Sequence, residues 1–210
     1  MVRHFEYEAV VGEPQLKDAV SGFVKSLFYL RSCGKFTYSK DGKCDMGKME
    51  EKDVWCESFP LVYICATSPE FDKDISEFID EFCKALKASE ERNGERKGSI
   101  YVELYEIKTE ERFMITSTTE EVWEKYTLNF TMKDNFEMKV RHGRRIQDAI
   151  VKMCKEACDQ PDASARTCVE ESKIGDKFIT KYSDVQPFRY RISHETGHKG
   201  FKLLNMFGFS

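Results

Sequence analysis

The sequence predicts one domain of mixed helices and strands, and three observations carry this prediction. Residues 100–107 and 122–132 alternate between apolar and polar side chains, the period of two that indicates strands. Apolar residues recur at helical spacing in three other stretches, residues 16–30, 71–86 and 136–158. The length of 210 residues suits one core, and no linker-like stretch divides the chain.

The first helix follows a short strand-like segment at residues 5–11. Gly12-Glu13-Pro14 separates the two, and proline suits the first turn of a helix. Gly22 lies inside the helix, where glycine is unfavourable, so we expect a neighbouring element to pack closely against it. Cys33-Gly34 is expected to end the helix, because glycine commonly follows a helix C-terminus.

The second helix follows a short apolar run at residues 59–65, which predicts a buried strand with Pro60 at its start or edge. Ser68 and Pro69 then provide an N-cap and a first helical residue. Asn93-Gly94 is expected to end this segment with a turn.

The third helix is the longest of the predicted helices and should pack across the sheet. Asp134 and Glu137 have the spacing of a variant capping box ahead of its apolar positions. Beyond it, residues 159–184 are polar and weakly periodic, and alternation around Phe188, Tyr190 and Ile192 predicts another strand.

Residues 108–121 form a long connection between the two alternating segments, and long connections in compact domains are often functional. The connection is polar except for one apolar island, Phe113-Met114-Ile115. These side chains either fold back onto the core or project towards a partner. A projecting Phe113 and Met114 could each contribute about 1.5 to 3 kcal/mol when a partner buries them.

The chain ends on an apolar stretch, residues 201–209, which is seldom left in water. It either docks on its own domain or forms a partner surface, and one alternative is a homodimer made through it. The net charge of −4 disfavours nucleic acid as a partner. The sequence shows neither a signal peptide nor a membrane span, so we expect a cytoplasmic protein.

The eight cysteines are expected to be free thiols if the compartment is reducing, although their even number permits disulfides. Cys154 and Cys158 share a helix face, where half-buried thiols are the simplest interpretation. The absence of a CxxC pair gives little support to a zinc ribbon.

His194-Glu195-Thr196-Gly197-His198 matches HExxH, in which two histidines bind zinc and the glutamate is a general base. That chemistry requires a helix, whereas the pentad continues a period-two strand and contains glycine. A zinc-dependent hydrolase is therefore the alternative function, and a polar loop after the strand is the preferred interpretation. The basic cluster at residues 141–145 fits a solvated helix face or a contact with an acidic partner. No other catalytic set or cofactor site is predicted.

Three separated segments resemble the autophagy-related protein 101 family. They are Arg31-Ser32-Cys33-Gly34-Lys35-Phe36-Thr37-Tyr38, Glu121-Val122-Trp123 and Asp184-Val185-Gln186-Pro187-Phe188-Arg189-Tyr190-Arg191-Ile192-Ser193. The resemblance extends from the first helix to Ser193. It implies a HORMA fold, an α+β fold in which three helices pack on a central, mostly antiparallel sheet. Residues 1–210 would then form one HORMA domain, whose C-terminal segment, from about residue 160, adds strands at the sheet edge.

The resemblance also implies a function without enzymatic activity, metal or cofactor. Family members pair with the HORMA domain of autophagy-related protein 13 and stabilise it. They act as adaptors in the Ser/Thr kinase complex that initiates autophagosome formation. The implied location is the cytoplasm, with recruitment to sites of autophagosome formation.

The family further projects a loop bearing a tryptophan and a phenylalanine, which recruits downstream factors. Phe113 matches the phenylalanine, but the position of the tryptophan holds Glu111. We therefore expect Arg112, Phe113, Met114 and Ile115 to form the partner-binding tip in altered form.

Overall fold

The computed structural model describes most of the chain, namely residues 2–41, 43–112, 115–133, 140–159, 170–197 and 199–204. Three long helices and one short helix lie in this part: α1 (Leu16–Leu30), α2 (Pro69–Lys87), α3 (Val140–Cys158) and α4 (Ile174–Lys177). Eleven strands accompany them: β1 (Arg3–Val11), β2 (Ser32–Gly34), β3 (Phe36–Tyr38), β4 (Cys44–Met46), β5 (Glu51–Trp55), β6 (Val62–Ala66), β7 (Glu95–Arg112), β8 (Ile115–Lys133), β9 (Val185–Pro187), β10 (Tyr190–Thr196) and β11 (Lys199–Leu204). The predicted α+β class is confirmed.

The central sheet has five strands in the order β1-β8-β7-β10-β11. β1 pairs with β8 in parallel, and the other neighbours are antiparallel. Three two-stranded ladders, β2–β9, β3–β4 and β5–β6, lie outside it. This mainly antiparallel sheet with three long helices is the architecture expected of a HORMA fold.

The core lies between the helices and one face of the central sheet. Alternate residues of the strands point into it, and rings from α1 and α2 meet Phe130 of β8, with Phe23 at 5.9 Å and Phe82 at 5.6 Å between ring centroids. The opposite face carries polar pairs, such as Ser99 with Asn129. One apolar and one polar face explain why the period of two was visible in these strands.

Several expectations about single residues are confirmed. A Cβ at Gly22 would lie 2.8 Å from Ile150 Cδ1 of α3, so this glycine does allow close packing. Asn93 and Gly94 have φ of 56° and 76°, and they form the turn that leads into β7. Ser68 precedes α2 as expected, but its hydroxyl donates to Asp184 Oδ1 at 2.7 Å instead of capping the helix.

The expectation that Gly34 terminates α1 is wrong. The helix ends at Leu30, and Gly34 belongs to β2. A Cβ on Gly34 would lie only 1.9 Å from the carbonyl oxygen of Gly47, so glycine is required there by a close approach of two backbones. The predicted start of the third helix, with Asp134 and Glu137, lies outside the described residues, which resume within α3 at Val140.

Candidate functional site

The long connection predicted at residues 108–121 is strand rather than loop. β7 and β8 stay paired from Glu95 with Lys133 to Arg112 with Ile115. Both strands therefore run through the polar stretch, and only Phe113 and Met114 separate them. Those two residues lie outside the described part of the chain. Of the predicted tip, the structure places Arg112 and Ile115 opposite each other at the ends of the two strands.

The outer part of this hairpin extends beyond its neighbouring strands. β10 pairs with β7 only up to Leu104, and β1 pairs with β8 only from Glu124 onwards. Residues 105–112 and 115–122 therefore form a two-stranded ribbon, which we call the hairpin ribbon. At about 3.3 Å per residue it is about 25 Å long. The described side chains at 108, 109 and 117–121 are exposed, so the ribbon is an arm suited to contact with a partner.

A β-bulge marks the base of the hairpin ribbon. The register shifts between Leu104 and Tyr105, which leaves Trp123 as an extra residue in β8. The indole packs edge-on against Phe188 at 5.3 Å between centroids, and the Arg3 guanidinium lies over it at 5.8 Å. Bulges bend a strand and increase its local twist, so the ribbon leaves the sheet at a point fixed by aromatic packing.

Two of the segments that resemble the family meet in space although they are about 150 residues apart. β2 pairs with β9, where Cys33 lies opposite Gln186. The Gln186 side chain also accepts a hydrogen bond from the Phe36 amide at 2.6 Å. Lys35 donates to the Thr180 and Tyr182 carbonyls at 2.9 and 2.6 Å. These bonds attach the chain after α1 to the C-terminal segment.

Arg31, in the first of those segments, forms a buried ion pair with Glu124 of β8. Its Nε and Nη2 donate to the carboxylate at 2.7 and 3.1 Å, and Nη2 also donates to the Tyr126 hydroxyl and the Ala157 carbonyl. Arg3 reaches the same carboxylate at 2.9 Å. Burial lowers the pKa of Arg31, but its bonds with Glu124 and Tyr126 outweigh burial and raise the pKa overall. α1, β8 and α3 are thus joined at one charged centre.

The HExxH pentad does not form the helix that zinc hydrolysis requires. His194 and Glu195 are consecutive residues of β10, so their side chains point to opposite faces of the sheet. His194 is buried between the Phe78 and Phe82 rings, each 5.6 Å away, whereas Glu195 accepts a hydrogen bond from Tyr101 on the other face. Gly197 follows with φ of 59°, and His198 lies outside the described residues. The expected polar loop is also wrong, because the strand continues to Thr196.

Within the described ranges, no group of three or more His, Cys, Asp or Glu residues is arranged to hold a metal ion. The seven cysteines described are thiols that form no disulfide with one another. Burial raises the pKa of the Cys33 and Cys83 thiols to about 12, which keeps them protonated and makes them weak nucleophiles. In the part of α3 that is described, Arg144 and Arg145 are exposed, in agreement with a solvated basic face.

Sequence reasoning missed two features, an exposed aromatic side chain and a contact made by Arg191. Trp55 on β5 is 76% exposed, more than any other large apolar residue described. The signal in the sequence is a lone tryptophan among charged residues. Arg191 lies in a predicted strand and in a segment that resembles the family, but neither pattern predicts that its side chain reaches the hairpin ribbon.

Along the described stretches, no helix combines the length and the apolar character that crossing a membrane would require.

Comparison with known proteins identifies the family. The family model for autophagy-related protein 101 matches residues 8–163. Autophagy-related protein 101 of Homo sapiens is 25% identical over 194 residues, covering 90% of this chain and 86% of the relative. The Xenopus tropicalis protein of the same name is 24% identical over 192 residues with the same coverage. The Arabidopsis thaliana protein is 25% identical over 127 residues, or 60% of this chain and 56% of the relative. Since the family model covers most of the chain, the chain belongs to the autophagy-related protein 101 family and is an autophagy factor.

Proposed function

We propose that this chain is a non-enzymatic adaptor with two separate partner surfaces. It acts in the cytoplasm as a single HORMA domain that pairs with, and stabilises, the HORMA domain of autophagy-related protein 13. Through this pairing it belongs to the Ser/Thr kinase complex that initiates autophagy. The tip of the hairpin ribbon, from Arg112 to Ile115, recruits downstream factors to sites of autophagosome formation.

Family membership supports the proposed pairing with autophagy-related protein 13. The hairpin ribbon is the observation that supports the recruitment role. The ribbon extends about 25 Å, at about 3.3 Å per residue, past the strands that flank it. Its described outer side chains are exposed and its connection is only Phe113-Met114. Tyr105 at its base is buried, but the described side chains farther out, at 108, 109 and 117–121, add little to the core, so the length of the ribbon favours a role in binding. Two apolar residues at its end are suited to a small binding pocket on a partner.

The test variant carries Phe113→Ala and Met114→Ala together. It is compared with a control variant on the same ribbon. Thr109 and Thr118 face each other across the ribbon, away from the tip. The control variant, Thr109→Ala with Thr118→Ala, therefore changes the ribbon but leaves its tip unchanged. Pairing with the autophagy-related protein 13 HORMA domain is measured by calorimetry. Recruitment is measured in cells as autophagosome formation on starvation.

We expect the tip variant to keep its melting temperature and its pairing affinity and to lose most recruitment. Truncating two binding residues typically weakens an interface by about 2 to 4 kcal/mol, or about 30- to 900-fold. The threonine control should behave as the unmodified protein. A tip variant that melts early or precipitates would show that Phe113 and Met114 belong to the core, and a tip variant with full recruitment would assign recruitment to another surface.

A further inference from the structure

The hairpin ribbon needs support at its base if its tip is to be held in one direction. A two-stranded hairpin is marginally stable by itself in water. In the described residues the ribbon has no third strand beyond Tyr105 and Val122, and its outer side chains are exposed. Whatever fixes its direction must therefore lie where it leaves the sheet.

Arg191 of β10 lies at that point and contacts both strands of the hairpin. Its Nη1 is 3.5 Å from Glu103 Oε2 of β7, and its Nη2 forms an ion pair with Glu120 of β8, inside the ribbon. Its guanidinium carbon lies 4.7 Å from the centre of the Tyr105 ring. One side chain thus joins the sheet, the first residue of the ribbon on β7 and a ribbon residue on β8. We call these four residues the Arg191 clasp.

The chain beside Arg191 supports the same region independently. The Tyr105 amide donates to the carbonyl of Arg189 at 3.0 Å, although β10 begins only at Tyr190. Phe188 packs on Trp123, the extra residue of the bulge. The segment that resembles the family, from Asp184 to Ser193, therefore packs against the base of the hairpin ribbon.

We propose that Arg191 is a positioning residue that fixes the direction of the hairpin ribbon and so presents its tip for recruitment. The role in recruitment rests on the proposed function. The effect of Arg191 on the direction of the hairpin ribbon does not. Arg191 itself does not touch the tip; it acts through Glu120 and Tyr105.

Exposed ion pairs often contribute little to stability. The contacts of the Arg191 clasp are stronger than such pairs for two reasons, burial and the geometry of the guanidinium. Tyr105 is only 1% exposed and the Arg191 side chain 24%, so this contact is shielded from solvent. The planar guanidinium can stack on an aromatic ring while its nitrogens bind carboxylates, which a lysine ammonium cannot reproduce. Losing the arginine should therefore loosen the ribbon without unfolding the sheet.

The test measures amide hydrogen exchange in Arg191→Ala, Arg191→Lys and a matched control. Lys125 forms an ion pair with the same Glu103, on the same face of the sheet, but does not reach the ribbon. Lys125→Ala therefore removes a comparable exposed pair and leaves the clasp in place. Glu120→Gln removes only the ion pair between Arg191 and β8, keeps the contacts of Arg191 with Glu103 and Tyr105, and serves if Arg191→Ala fails to fold.

Among residues 106–109 and 117–121, we expect Arg191→Ala to speed exchange of the amides that are bonded across the ribbon by about three- to tenfold, the range of one charged and one cation–π contact. Amides of the central sheet, such as those of Val102 and Leu128, should not change. Arg191→Lys should give an intermediate effect and Lys125→Ala none. Equal exchange of the ribbon in Arg191→Ala and Lys125→Ala would overturn the proposal.

Recruitment separates this proposal from the function it rests on. If the clasp presents the tip, Arg191→Ala weakens recruitment while pairing with the autophagy-related protein 13 HORMA domain stays unchanged. If exchange of the ribbon rises but the variant without Phe113 and Met114 side chains recruits normally, the ribbon has a different role and the clasp still stands. Suppose that Arg191→Ala speeds exchange of the ribbon but recruits normally, while the tip variant loses recruitment. The tip then binds without a fixed direction, and the positioning role is wrong.

Discussion

Glu124 brings a negative charge into the interior, where Arg31, Arg3 and Tyr126 surround it. The carboxylate is fully buried, and its two oxygens are bound by hydrogen bonds of 2.7 to 3.1 Å. Removing one member of a buried ion pair leaves the other without compensation, which costs more than the pair itself contributes. This centre joins α1 to β8 and, through the Ala157 carbonyl, to the end of α3.

Glu124→Gln should therefore lower the free energy of unfolding by about 3 to 5 kcal/mol. Urea unfolding followed by circular dichroism measures the change. The double variant Arg31→Met with Glu124→Met removes both buried charges and leaves only Arg3, whose side chain is 30% exposed, so it should lose less than the single variant. A double variant that is less stable than Glu124→Gln would mean that packing, not charge compensation, dominates at this site.

The buried thiols predict how stability depends on pH. Burial raises the pKa of Cys33 and Cys83 from 9.0 to about 12. The unfolded chain loses these protons at a lower pH than the folded chain, so the stability is present below about pH 9 and is lost as pH rises towards about 12.

Urea midpoints measured across that alkaline range test the prediction. The midpoint should fall more steeply in the unmodified protein than in Cys33→Ala with Cys83→Ala. Buried tyrosines are present in both proteins, so the difference between the two slopes isolates the thiols. Parallel slopes would show that the thiols do not contribute.

At the scale of elements, the β2–β9 ladder holds the C-terminal segment to the rest of the chain. It depends on Gly34, whose backbone lies against that of Gly47. A backbone oxygen cannot move away as the end of a flexible side chain can. The short ladder is therefore sensitive to a single methyl group.

Gly34→Ala should destabilise the protein by about 3 kcal/mol, at the upper end of what overpacking costs. Gly175 in α4 is the matched control, since a Cβ there would have no heavy atom within 4 Å. Gly175→Ala should change stability by less than about 1 kcal/mol. Thermal unfolding measures both, and equal stability of the two variants would contradict the close approach of the Gly34 and Gly47 backbones.

The three helices and the inner parts of β7 and β8 could be predicted because each buries one face. The part of the hairpin ribbon between Ile107 and Val122 could not be predicted from its pattern, since residues such as Thr109 and Thr118 are exposed and apolar side chains do not alternate with polar ones there. Gly34 was misinterpreted for a related reason. A glycine that ends a helix and a glycine that touches another backbone look the same in one sequence.

The candidate site was predictable only in part. The apolar island at Phe113 and Met114 stands out in a polar stretch, so its residues could be named from the sequence. The Arg191 clasp could not, because Arg191 and Glu120 are distant in sequence and meet only through the pairing of β10, β7 and β8. Contacts of this kind follow from strand order, which periodicity does not specify.

At the scale of the whole molecule, the central sheet and its helices form a platform with one projecting arm. The helices cover one face of the sheet, the other face is polar, and the hairpin ribbon leaves it at the Trp123 bulge. Such a division suits an adaptor, because a partner bound at the tip need not compete with one bound elsewhere on the domain. Pairing should also raise the melting temperature of each partner, since a ligand that binds only the folded state stabilises it.

The central claim is that this chain pairs with the HORMA domain of autophagy-related protein 13. Size-exclusion chromatography with light scattering, on the two purified proteins mixed in equal amounts, tests it most directly. The account predicts a single species with the mass of a one-to-one complex, formed equally well by the variant that lacks the Phe113 and Met114 side chains. Two separate species, each with the mass of its own protein, would contradict it.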